Sequence, residues 1–161
     1  ASGAAPEVDY LRLRAVYDDP ADGGGESHGT RLRTGTCEDA PSVEPGIFSG
    51  NTDEAARLHV GVDPCAMSIG PETVLRYDAM RDARLCISTE GSSYDTVLYV
   101  RGGNCQDGVQ LACNDDRIGQ QSQLEVDTFF GTTYFIFVDT FGSGAGGEYH
   151  LSITDGACPR D

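Results

Sequence analysis

The chain has 161 residues, six cysteines, 26 acidic side chains and a formal net charge of −15. That charge excludes nucleic acid as a partner, because phosphate binding needs a basic footprint. The length allows one domain with a sizeable core, and no apolar run reaches the roughly 18 residues that a membrane span needs.

Residues 1–36 differ from the rest. Ala1-Ser2-Gly3-Ala4-Ala5 reads as what remains after a secretory leader is removed. Residues 7–17 predict one strand, in which Leu11, Leu13, Ala15 and Tyr17 alternate with Tyr10, Arg12, Arg14 and Val16. Residues 18–29 are Asp- and Gly-rich and read as a flexible linker. A short strand is expected within Thr30 to Thr34.

Residues 37–161 read as one β-domain. Short strands are predicted at 47–49, 57–62, 74–78, 84–89, 96–101, 109–113, 122–128, 133–139 and 148–154. Turn signals such as Pro45-Gly46, Gly70-Pro71, Gly102-Gly103-Asn104 and Gly131 separate them. With 21 glycines, this spacing predicts an all-β fold, a jelly-roll-like antiparallel β-sandwich with an extended N-terminal arm. Phe135-Ile136-Phe137-Val138 is apolar on both faces and predicts a central strand. Thr52 to Leu58 reads as one helical turn, capped by Thr52 or Asp53.

The even cysteine count, without zinc-ribbon spacing, predicts three disulfides and an oxidising compartment. Cys105–Cys113 is expected because a tight strand-loop-strand brings the two together, which leaves Cys37–Cys65 and Cys86–Cys158. Six cysteines allow 15 connectivities, so other pairings stay open.

Signals of catalysis are weak. His28, His59 and His150 are scattered, no nucleophile elbow occurs, and the GxGxxG match at Gly142 to Gly147 lies between strands, where it reads as a hairpin loop. The acidic groups carry more. Asp95, Asn114, Asp115, Asp116 and Asp139 offer hard oxygens that suit Ca²⁺, although Asn and Asp also shape turns through their own hydrogen bonds. Asp18, Asp19, Asp22 and Glu26 read as a solvated linker.

An ordered series of motifs is similar to the bacterial pre-peptidase C-terminal domain, in its cysteine-containing secreted and surface variety. The series is Pro71 to Tyr77, Arg84 to Thr89, Gly91 to Arg101, Leu111 to Asp116, Ser122 to Leu124, Gly131 to Asp139 and Gly147 to Leu151. The resemblance covers about residues 37–155. It implies a jelly-roll sandwich without catalytic machinery, found behind secreted peptidases or in surface proteins. Some members bind protein polymers such as collagen, and some bind Ca²⁺. Here residues 1–36 stand where that family carries a peptidase domain.

Two functions are expected, neither enzymatic. In the first, the arm (Val8, Tyr10, Leu11, Leu13, Ala15, Val16, Tyr17) adds as a strand to a neighbouring copy. That head-to-tail donation builds an extracellular filament. In the second, the chain is a monomeric extracellular module for protein fibres or polysaccharide, with Tyr77, Tyr99 and Arg101 on an exposed sheet face.

Overall fold

The structure, a computed structural model, describes residues 29–53, 55, 65 and 68–160. The predicted arm, nearly all of the linker, the strand at 57–62 and most of the turn at 52–58 lie outside the described residues, as do His28 and His59. The described strands are β1 (Thr30–Arg31), β2 (Gly46–Asn51), β3 (Thr73–Asp78), β4 (Ala83–Ser88), β5 (Thr96–Gly102), β6 (Val109–Asn114), β7 (Gln123–Thr128), β8 (Thr133–Thr140) and β9 (Glu148–Asp155).

They form two sheets, β1-β2-β9-β4-β7 and β3-β8-β5-β6. All ladders are antiparallel except the short parallel pair β1–β2. The period-2 alternation of each strand turns one set of side chains inward. Leu75, Ile87, Leu98, Ile136, Leu151 and Ile153 meet between the sheets, each at most 1% exposed. Burying one such side chain contributes about 2 kcal/mol. The two-faced apolar run of β8 occupies a central position, as its sequence predicts.

The second face of β8 has its own cover. Val74, Val97, Tyr99 and Phe137 form a cluster on the outer side of the four-stranded sheet, joined by Cys105 and flanked by Cys37 and Ala40. Residues 35–43 lie along β3 to close it, through Val74 N–H to Gly35 C=O at 3.1 Å and Arg76 N–H to Pro41 C=O at 2.9 Å. A side chain at Gly35 would collide with the Val74 carbonyl, so the close approach requires glycine there.

One of three disulfides pins this cover. The bonds are Cys37–Cys105, Cys65–Cys113 and Cys86–Cys158. The last is the expected pair, whereas Cys105–Cys113 and Cys37–Cys65 are not formed. Register explains the correction. Cys113 lies opposite Tyr99, deep in the β5–β6 ladder, while Cys105 sits in the turn beyond Gly102. Four residue steps of strand separate Val109 from Cys113, which is roughly 13 Å. Cys105 therefore bonds Cys37 in the covering segment, and Cys113 bonds Cys65.

Candidate functional site

The strands give the sandwich two chemically different poles, about 20 Å apart along β5. One pole gathers carboxylates where β5 begins, β6 ends and β7 begins. Its foundation is a buried hydroxyl network. Thr89 Oγ1 lies 2.6 Å from Thr96 Oγ1, and Ser122 N–H donates to Thr89 Oγ1 at 2.9 Å. Ser122 Oγ stands 2.6 Å from the Asp115 carbonyl and 2.7 Å from the Thr96 carbonyl. These contacts fix the backbone on both sides of the acidic loop.

On that base, one carboxylate oxygen from each of Asp95, Asp115 and Asp116 falls within 4.8 Å of the others. Oδ1 of Asp95 and Oδ1 of Asp115 are buried and accept no hydrogen bond. Burial, then Asp116, raises the Asp95 carboxyl above its usual range. Asp115 is pushed up to about 6, by burial first and then by Asp116 and Asp95. Repelling carboxylates with orphaned oxygens are a donor set that a hard divalent cation would satisfy.

Asp139 does not join this triad. Asn114 uses its Oδ1 to accept the Gln123 N–H at 3.0 Å, closing the loop. Asp139 is 2% exposed and faces Glu72, which is fully buried. Tyr99 O–H donates to Glu72 Oε2 at 2.5 Å. Asp139 Oδ1 accepts the Thr140 N–H at 2.7 Å, and its carboxyl is pushed up to about 8 by burial and then by Glu72. Sequence reasoning missed Glu72. Its signal was its place just before β3, one alternation step from Val74 on the outer face.

The second pole is apolar. The turns β3–β4, β5–β6 and β7–β8 meet there. Gly131 N–H donates to Ala79 C=O and Ala79 N–H to Thr132 C=O, at 2.9 and 3.0 Å, and Phe130 N–H reaches Asp82 Oδ1 at 2.8 Å. The β7–β8 turn is closed by Thr132 N–H to Phe129 C=O at 3.1 Å, with Gly131 at φ 82°. This geometry leaves Phe129 59% and Phe130 68% exposed, beside exposed Met80, Val109 and Leu111. Between Val109, Leu111, Phe129 and Tyr134 runs an open trough of about 380 Å³.

The aromatic and cationic face expected at Tyr77, Tyr99 and Arg101 does not exist as such. Tyr77 points inward against Tyr134, with ring centroids 6.3 Å apart. Tyr99 is 1% exposed and stacks on Phe137 at 4.5 Å beneath the 35–43 cover. Arg101 stands over Phe137 at 5.7 Å and donates to the Cys105 and Gln106 carbonyls at 3.2 and 2.6 Å. Strand alternation alone cannot reveal a covering segment from elsewhere in the chain. His150 is exposed on β9.

The structure is similar to the pre-peptidase C-terminal domain of a collagenase from Bacillus anthracis, with a TM-score of 0.49 and 15% identity, covering 76% of this chain and 99% of that one. It is also similar to a family 35 carbohydrate-binding module from an environmental isolate, with a TM-score of 0.36 and 16% identity over 68% of this chain and 90% of that one. A third similarity is to the CBM35 from Cellvibrio japonicus Abf62, with a TM-score of 0.34 and 14% identity over 66% and 86%. No protein-family model and no curated protein matches the chain. At these identities no residue correspondence follows.

Proposed function

We propose that this chain is a non-catalytic extracellular binding module that docks on an extracellular polymer through its apolar pole. The observation that carries the reading is the trough lined by Val109, Leu111 and Phe129, all exposed while the sandwich interior is closed, with exposed Met80 and Phe130 in the turns at the same end. Contiguous exposed apolar surface of this kind marks interaction sites. The Phe rings offer flat apolar faces to a sugar ring or to fibre side chains. Three disulfides support an oxidising, extracellular setting.

The acidic pole then serves stability. Asp95, Asp115 and Asp116 hold Ca²⁺, with loop carbonyls and water completing its oxygen shell. The ion neutralises the triad and fixes the loop between β6 and β7. A filament built by strand donation from residues 8–17 has no support in the structure. Its donor lies outside the described residues, and nothing among them supports self-assembly. The test is retention of the full chain on insoluble protein and polysaccharide matrices. Retention that is lost in F129A/F130A supports the reading; no retention on any matrix refutes it.

A further inference from the structure

We propose that the cleft between the C-terminal tail and the outer face of β7 binds a sugar acid, a ligand with one carboxylate beside hydroxyl groups. This goes beyond docking through the apolar pole, because it names a ligand class at a separate surface.

The cleft is built by the fold. After β9 the chain turns at Gly156, with φ 100°, and crosses the outer side of the five-stranded sheet. Cys158 is bonded to Cys86 on β4, and its N–H donates to Glu125 Oε1 at 2.8 Å. Beside this strap lies an open cleft of about 500 Å³. Gln123 and Glu125 of β7 line it, with Arg160 from the tail and Arg117 from the β6–β7 loop. Arg117 is fixed at its backbone, where its N–H donates to Gln121 C=O at 3.0 Å.

Charge pairing singles out these two arginines. Arg31, Arg33, Arg76, Arg81 and Arg84 each form an ion pair with an Asp or Glu. Arg101 is spent on two carbonyls. The side chains of Arg117 and Arg160 make no ion pair or hydrogen bond among the described residues, in a chain with 26 acidic side chains. Both line the same cleft.

The ligand class follows from the lining. Guanidinium forks match a carboxylate in two parallel hydrogen bonds. The net charge of −15 repels multiply charged anions more than a single carboxylate, which disfavours sulfated or phosphorylated chains. Glu125 accepts hydroxyl donors and turns away a second anion, while the Gln123 amide both donates and accepts. Two cations, one carboxylate and one amide suit a polyol acid better than an aliphatic one.

The experiment is an NMR titration of the full chain with galacturonate, with galactose and sodium sulfate as separate arms, in chelator and again in Ca²⁺. Galacturonate is expected to shift amides of 117–125 and 158–160 saturably in both buffers, and galactose is not. In R117Q/R160Q the affinity falls at least about tenfold, since charge-assisted hydrogen bonds are lost, with an unchanged melting temperature because both side chains are exposed. Equal binding of sulfate would overturn the sugar-acid assignment in favour of an unselective anion site. No galacturonate response, or one that survives R117Q/R160Q, would overturn the site. Docking through the apolar pole is read separately with F129A/F130A, so failure of one leaves the other measured.

Discussion

Glu72 and Asp139 stand opposite each other at the end of the β3–β8 ladder, one register step beyond Thr73 and Val138. Glu72 is 0% and Asp139 2% exposed. Two like charges directly opposed in a sheet destabilise it, and burial removes the water that would screen them. The arrangement is stable because Asp139 holds a proton at neutral pH, with Tyr99 O–H supplying a second donor to Glu72.

That proton links stability to pH. Asp139 is pushed up to about 8 in the folded chain, whereas an unfolded Asp titrates near ~3.9. Between these values the folded state keeps a proton that the unfolded state has released. Stability therefore falls as pH rises through this window and levels off above the folded value, a loss of a few kcal/mol. D139N keeps the hydrogen-bonding shape without the titration. From pH 7 to 9, above the value to which Asp115 is pushed, its melting temperature is expected to stay level while that of the parent chain declines. A parent melting temperature that is constant over this range would refute the shared proton.

The acidic triad predicts a response to Ca²⁺. An ion that binds only the folded state at 100 times its Kd adds about 2.7 kcal/mol, or roughly 5–10 °C in a chain of this size. Mg²⁺ does less, because it demands a tighter octahedral shell. D115N removes one of three repelling carboxylates, so it raises the metal-free melting temperature and abolishes the Ca²⁺ response. Identical melts of the parent chain in chelator and in excess Ca²⁺ would contradict the site.

The cover over Tyr99 and Phe137 depends on Cys37–Cys105, which closes a loop of 68 residues. C37A/C105A is expected to cost roughly 4 kcal/mol by freeing the unfolded chain, about 10 °C in melting temperature. Residues 35–43 then become the first site of proteolytic cleavage. Unchanged melting and unchanged cleavage would show that the cover holds without the bond.

The sequence revealed the strands far better than their covers. β5 and β8 stood out because Val97 to Val100 and Phe135 to Val138 are apolar on both faces, and the turns were marked by glycines such as Gly131, which the structure holds at positive φ. Asp95, Asp115 and Asp116 were also legible, since a hairpin of that length returns β6 beside the start of β5. Asp139 misled because side-chain direction depends on pairing partners that sit far away in sequence. Tyr77 and Tyr99 misled because alternation shows that a residue leaves one face, not what lies over the other. Phe129 and Phe130 were visible all along, a bulky apolar doublet ahead of a turn glycine, where strand reasoning looks only for the strand's end.

The most direct measurement is amide hydrogen exchange of the full chain, free and on a soluble fragment of the polymer that retains it. The account predicts new protection in the turns at 79–82, 103–109 and 129–132, and its loss in F129A/F130A. Protection confined to other surfaces, with these turns exchanging as in the free chain, would contradict docking through the apolar pole.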